Sequence, residues 1–97
     1  MRKNDPEKFD RYVETHGIGD RVSGVVEDVR AFGAFIDLAD GVQGLLEVIH
    51  FRDPQKRHSF PDDYPRVGET IEIAIAYINP IGRAIRLTER DIRDIQK

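Results

Sequence analysis

The first 17 residues carry the pattern of an amphipathic helix. Apolar side chains recur there at spacings of three and four residues, which places them on one helical face: Phe9, Tyr12 and Val13. Asp5 followed by Pro6 is typical of a helix start, and Gly17 is typical of a helix end. We expect this helix to pack its apolar face against the rest of the protein. The alternative is a helix that binds a partner.

Beyond Gly19, apolar and polar residues alternate, and a period of two predicts β-strands. Five short strands are expected, over residues 20–32, 33–38, 42–49, 69–78 and 84–88. The fourth alternates most regularly, with three isoleucines predicted inward and three smaller or polar residues outward: Ile71, Ile73 and Ile75 against Thr70, Glu72 and Ala74. Tyr77 faces outward if a bulge keeps Ile78 inward, and we expect it to pack on the surface rather than to stack on a ligand.

One long connection, over residues 50–68, separates the third predicted strand from the fourth. Five short strands with glycine-rich bends favour a small closed barrel, because closure leaves no strand edge exposed. We therefore predict a mainly β protein built on a five-stranded oligonucleotide-binding (OB) barrel. Its organisation is an N-terminal helical extension (1–18), the barrel (19–88) and a short C-terminal helical tail (89–97).

Composition limits the classes of function. The chain has 97 residues, 39% of them hydrophobic and 34% charged, as expected for one small domain. Its net charge of −3 argues against a general attraction for nucleic acid, although a local basic face is allowed. With no cysteine, no long apolar run and no leader sequence, we expect a cytoplasmic monomer without disulfides or membrane contact.

Catalysis finds little support in the sequence. The three histidines lack the spacing of metal ligands, and neither a serine nucleophile motif nor a phosphate-binding glycine loop is present. We expect a binding protein that needs no cofactor and no metal.

Five short motifs follow one another in the order found in a known family: Gly24-x-Val26-x-x-Val29, Phe32-Gly33-Ala34-Phe35-Ile36, Gly41-x-x-Gly44-Leu45-Leu46, Val67-Gly68-Glu69 and Arg86-Leu87-Thr88. Over residues 19–88 the chain thereby resembles the S1 domain, the RNA-binding repeat first described in ribosomal protein S1. The resemblance implies an OB barrel that binds single-stranded RNA on the face of its second and third strands.

Phe32 and Phe35 match the aromatic pair that the family uses on this face. Strict alternation would send the two rings to opposite sides of a strand. Gly33 breaks the alternation at a strand junction, so both rings can border one face. We expect at least one of them to stack on RNA bases, and the alternative is that they fill the core.

Other site positions depart from the family pattern. Glu47 stands where the family has a histidine, with His50 three residues further on, and Asn79 stands where the family has an acid. The basic residue in the turn before the last strand is Arg83, although the loop length leaves Ala84 as the alternative match. These changes weaken the electrostatic part of the expected site.

Basic residues near the expected face would contact phosphate. Two lie in or near strands, Arg30 and Arg86, and three lie in the long loop beside His50: Arg52, Lys56 and Arg57. The prediction is a non-catalytic protein that binds single-stranded ribosomal or messenger RNA by aromatic stacking and phosphate contacts. The alternative is a protein-interaction or regulatory module on the same scaffold, with the ribosome or another protein as partner.

Overall fold

The computed structural model describes residues 4–39, 41–51 and 58–90. One helix, five strands and a short 3₁₀ turn follow in order: α1 (Pro6–Thr15), β1 (Arg21–Arg30), β2 (Gly33–Ala39), β3 (Val42–Glu47), η1 (Val48–His50), β4 (Thr70–Asn79) and β5 (Ala84–Thr88). Most of the predicted C-terminal helix and the basic loop residues Arg52, Lys56 and Arg57 lie outside the described residues.

The strands close into a barrel in the order β1-β2-β3-β5-β4, and β4 returns to pair with β1. All pairings are antiparallel except that between β3 and β5. The parallel contact is short, with Leu45 opposite Arg86 and Leu46 opposite Leu87. The predicted five-stranded OB barrel is therefore confirmed.

The barrel interior is filled by aliphatic side chains from all five strands, among them Val26, Ile36, Leu46, Ile73, Ile75 and Leu87. The inward positions predicted for β4 are confirmed. Ala74 lies on the outer side of β4, as the alternation predicts, yet it is also buried. Its neighbours on the adjacent strands are Arg21 and Thr88. Both side chains are longer than the methyl group of Ala74, so that methyl group is shielded from solvent.

Helix α1 begins as the sequence predicts and ends slightly earlier. The Asp5 carboxylate accepts a hydrogen bond from the backbone N–H of Lys8 at 3.1 Å. The helix ends at Thr15, with His16 in an extended conformation after it, so Gly17 is not needed to stop it. Phe9 is fully buried, which confirms that α1 packs against the barrel.

Asn4, just before α1, joins the helix to the barrel where the β3–β5 pairing is short. Its Nδ2 donates to the carbonyls of Gln43 (3.1 Å) and Arg83 (2.9 Å). Its Oδ1 accepts from the Gln43 N–H at 2.8 Å. The side chain thereby bridges the start of β3 and the turn before β5, and it satisfies three backbone groups.

Replacing Asn4 by alanine should leave these backbone groups without partners. We expect the free energy of unfolding to fall by about 2–3 kcal/mol, the cost of leaving buried polar groups unsatisfied. Urea denaturation measures this, with Asp5→Ala as the matched control. That change removes only an exposed helix cap, worth about 1 kcal/mol. An Asn4→Ala loss no larger than that of the control would contradict the bridging role.

Gly33, at the start of β2, is where β2 comes closest to β3. Its φ of 156° lies in a region that favours glycine. A Cβ at this position would lie 2.2 Å from the Leu46 carbonyl oxygen and 2.8 Å from the Glu47 Cα. Both are backbone atoms held in β3, so only glycine allows this approach.

A Gly33→Ala substitution is therefore expected to destabilise the barrel by about 3 kcal/mol or more, from overpacking and backbone strain together. Gly17→Ala is the matched control, because a Cβ there meets no heavy atom within 4 Å. We expect the control to change stability by no more than about 0.5 kcal/mol. Thermal unfolding compares the two, and equal midpoints would show that β2 can move away from β3.

Candidate nucleic-acid interface

Phe32 and Phe35 lie on the outer face of the barrel, on either side of the Gly33 junction. Ala34 and Ile36 point into the core and are fully buried, so Phe35 between them points outward. The two rings meet edge to face, with centroids 5.8 Å apart. Phe32 is 52% exposed, whereas Phe35 is only 7% exposed. The pair therefore presents one accessible ring supported by a covered one.

A concave groove with a volume of about 760 Å³ lies beside the pair, and we call it the outer-face groove. It is lined by side chains from β1, β2, β3 and β5 and from the β1–β2 turn: Glu27, Asp28, Arg30, Phe32, Phe35, Gln43, Leu45 and Arg86. The structure thus brings together four of the predicted site residues, namely Phe32, Phe35, Arg30 and Arg86.

The strand register explains how these residues meet. Asp28 on β1 lies opposite Phe35 on β2, and Phe35 lies opposite Leu45 on β3. Leu45 in turn lies opposite Arg86 on β5. These residues form one row across four strands, perpendicular to the strand direction.

The charges in the outer-face groove largely offset one another. The Arg30 Nε lies 2.9 Å from the Asp28 Oδ2 in an exposed ion pair. The Gln43 Nε2 donates to the Glu27 Oε1 at 3.0 Å. Arg86 forms no ion pair with any described residue, so its guanidinium is the cation available to a ligand.

Glu47 lies on the same side of β3 as Leu45 and directly opposite Gly33. Its carboxylate is therefore on the outer face, close to the aromatic pair, although it does not line the groove. A negative charge here opposes the approach of phosphate. The departure noted in the sequence thus places a carboxylate on the outer face, directly opposite Gly33.

His50 lies in η1 and has a mainly structural setting. Its carbonyl accepts a hydrogen bond from the Glu89 N–H at 2.9 Å. Burial lowers the pKa of its imidazole below the usual value, with Glu47 acting to raise the pKa and Arg90 to lower it. The lowered pKa favours the uncharged form of the ring.

Asn79 and Arg83 belong to the turn between β4 and β5 and do not line the groove. The Asn79 Oδ1 accepts from the N–H groups of Ile81 and Gly82, both at 3.1 Å, and so closes the turn. Arg83 has a φ of 50°, and its Nε lies 3.9 Å from the Asp10 Oδ1 of α1. Both predicted site residues therefore have partners within the protein.

Sequence reasoning did not place Leu45, Gln43, Glu27 or Asp28 at the site. Leu45 lies in an apolar run with Leu46, and such a run does not show which side chain points outward. The alternation of Gln43, Leu45 and Glu47 along β3 was the available signal. The carboxylates of β1 gave no signal, because charged residues are common on exposed strand faces.

Within residues 4–39, 41–51 and 58–90, no helix has the length and apolar character needed to cross a membrane. In the same part of the chain, no group of three or more histidine or acidic side chains is placed to hold a metal ion.

Comparison with known proteins gives related sequences and folds. The model of the S1 RNA binding domain family matches residues 15–90. Polyribonucleotide nucleotidyltransferase of Salinispora arenicola is 41% identical over 66 residues, which is 68% of this chain and 8% of that protein. Small ribosomal subunit protein bS1 of Staphylococcus saprophyticus is 33% identical over 85 residues, which is 88% of this chain and 21% of that protein.

A solved structure shares the fold. A chain in the a/eIF2alpha–aDim2p–rRNA complex of Pyrococcus horikoshii superimposes with a TM-score of 0.68 at 20% identity, covering 82% of this chain and 50% of that one. The chain spans only a small part of the two sequence relatives, whereas the family match spans the whole barrel. The chain belongs to the S1 RNA-binding domain family.

Proposed function

We propose that this S1 domain binds single-stranded RNA at the outer-face groove without catalysing a reaction. The observation that carries the proposal is the half-exposed Phe32 ring, which is supported by Phe35 and lines the same groove as Arg86, a cation with no ion-pair partner among the described residues. A ring held in this way can stack on a base of any sequence, and a nearby cation can contact the adjoining phosphate.

The free energy of binding would come mainly from stacking. A base stacked on an aromatic ring contributes about 1–3 kcal/mol. The electrostatic contribution would be small, because Arg30 is paired with Asp28 and Glu47 repels phosphate. We therefore expect low sequence specificity and an affinity that depends only weakly on salt. The logarithm of the binding constant should fall with the logarithm of the salt concentration with a slope of about −0.7 for each phosphate contacted.

The remaining predicted residues would have smaller roles in RNA binding. Arg52, Lys56 and Arg57 would add phosphate contacts from the long loop, whereas Asn79 and Arg83 would serve chiefly to hold the β4–β5 turn. Ribosomal or messenger RNA is the proposed target, in keeping with the names of the sequence relatives. We further propose that the protein works as a monomer in the cytoplasm.

A protein partner is the second candidate. Ile49, two residues after Glu47, is 63% exposed, and an exposed apolar side chain suits a protein surface better than a phosphate backbone. The RNA titration below separates the two candidates, because the second predicts a weakened RNA face and so little or no RNA binding.

Phe32→Ala should weaken the binding of single-stranded RNA by about 1–3 kcal/mol, or roughly 5- to 150-fold, since it removes the stacking ring. Fluorescence anisotropy with labelled oligouridine measures the affinity. Phe60→Ala is the matched control, because Phe60 is also half-exposed, at 50%, but does not line the groove. The control should bind as the unmodified protein does.

Two results would count against this account. If the unmodified protein at tens of micromolar bound no oligouridine even at low salt, the RNA-binding proposal would fail. If Phe32→Ala and Phe60→Ala bound equally well, RNA would bind elsewhere on the protein.

Glu47→Gln should tighten RNA binding several-fold, because it removes a negative charge from the face while keeping the side-chain shape. A negative charge several ångströms from a phosphate makes the free energy of binding less favourable by about 0.5–1 kcal/mol in water. Glu72→Gln on β4 makes the same change in net charge at an exposed position that does not line the groove. The gain should shrink as salt is raised. Equal gains in the two variants would mean that only net charge matters.

A further inference from the structure

The row of outward residues does not stop at Arg86. Tyr77 on β4 is the cross-strand neighbour of Arg86, so the row continues from Phe35 through Leu45 and Arg86 to Tyr77. Tyr77 is 53% exposed, whereas Tyr12 and Tyr64 are buried. The predicted outward direction of Tyr77 is therefore confirmed, and about half of the side chain is open to solvent.

A β-bulge is what turns Tyr77 outward. The register of β4 with β5 shifts between Ile75 and Tyr77, after which Ile78 packs against the core. Without the extra residue, strict alternation from the buried Ile75 would point Tyr77 inward and Ile78 outward. Bulges commonly re-aim a side chain near a functional site. Here the result is an exposed aromatic ring at the end of the row.

The distances suit a single strand of RNA. Neighbouring strands lie about 4.8 Å apart, so the path from Phe35 to Tyr77 around the curved surface of the barrel, over β3 and β5, is about 14 Å long. The Arg86 guanidinium lies between the two aromatic positions and has no ion-pair partner among the described residues. Along the row, the ring of Phe35 is followed by Leu45, then by the cation of Arg86 and then by the ring of Tyr77.

We infer that Tyr77 is a second stacking platform. RNA crosses the barrel from Phe32, over β3 and β5, to Tyr77, and Arg86 contacts a phosphate between the two stacked bases. This inference rests on the proposed function and adds to it the path of the strand and a second base-binding position.

The test compares Tyr77→Ala with Tyr77→Phe, using labelled oligouridine of about ten nucleotides, long enough for one OB barrel. Tyr77→Ala should weaken binding roughly 5- to 150-fold, as expected for the loss of one stacked base, and Tyr77→Phe should restore it. Val67→Ala, which removes an exposed apolar side chain away from the row, is the control. Because Tyr77 is exposed, its variants should keep the unfolding midpoint of the unmodified protein.

Tyrosine fluorescence gives an independent readout, because the protein has no tryptophan and only three tyrosines. Adding unlabelled oligouridine should quench the emission of the unmodified protein through stacking on Tyr77. The quenching should be largely lost in Tyr77→Phe, although that variant still binds.

The outcomes separate this inference from the proposed function. If Phe32→Ala loses affinity while Tyr77→Ala binds as Val67→Ala does, the second platform is overturned and the RNA-binding site at Phe32 stands. If Tyr77→Phe binds as weakly as Tyr77→Ala, the hydroxyl rather than the ring is used, and stacking is overturned. If the unmodified protein binds no oligouridine, both proposals fail.

Discussion

The close approach of β2 to β3 at Gly33 determines the geometry of the outer face. A side chain at this position would collide with the β3 backbone at Leu46 and Glu47. The residues next to this contact are also joined, because the Val48 N–H donates a hydrogen bond of 2.9 Å to the Phe32 carbonyl. Because Phe32 comes just before this contact and Phe35 just after it, both rings lie on one face of the barrel.

The balance of charge then decides how this face can bind. Most of its ionised groups neutralise one another, and the overall charge of −3 gives no general attraction for phosphate. Aromatic rings and the guanidinium of Arg86 are what the face offers to a ligand. Stacking therefore has to supply most of the binding energy, with the cation fixing the position of the strand.

The sequence was sufficient for the parts that depend on local pattern. Alternation predicted the five strands, and the resemblance to the S1 domain implied an aromatic face at Phe32 and Phe35. Partners brought together by folding could not be predicted in this way. The pairing of Arg83 with Asp10 joins elements distant in sequence. The hydrogen bond from the Gly82 N–H to the side-chain Oδ1 of Asn79 depends on the exact conformation of the loop.

The most direct test of the outer-face groove as the RNA site is a map of backbone amide chemical shifts by nuclear magnetic resonance during titration with oligouridine. The account predicts the largest changes at Phe32 and along the row, at Phe35, Leu45, Arg86 and Tyr77, and small changes in α1. Changes confined to α1 or to the Phe60 side of the barrel, with none along the row, would contradict it.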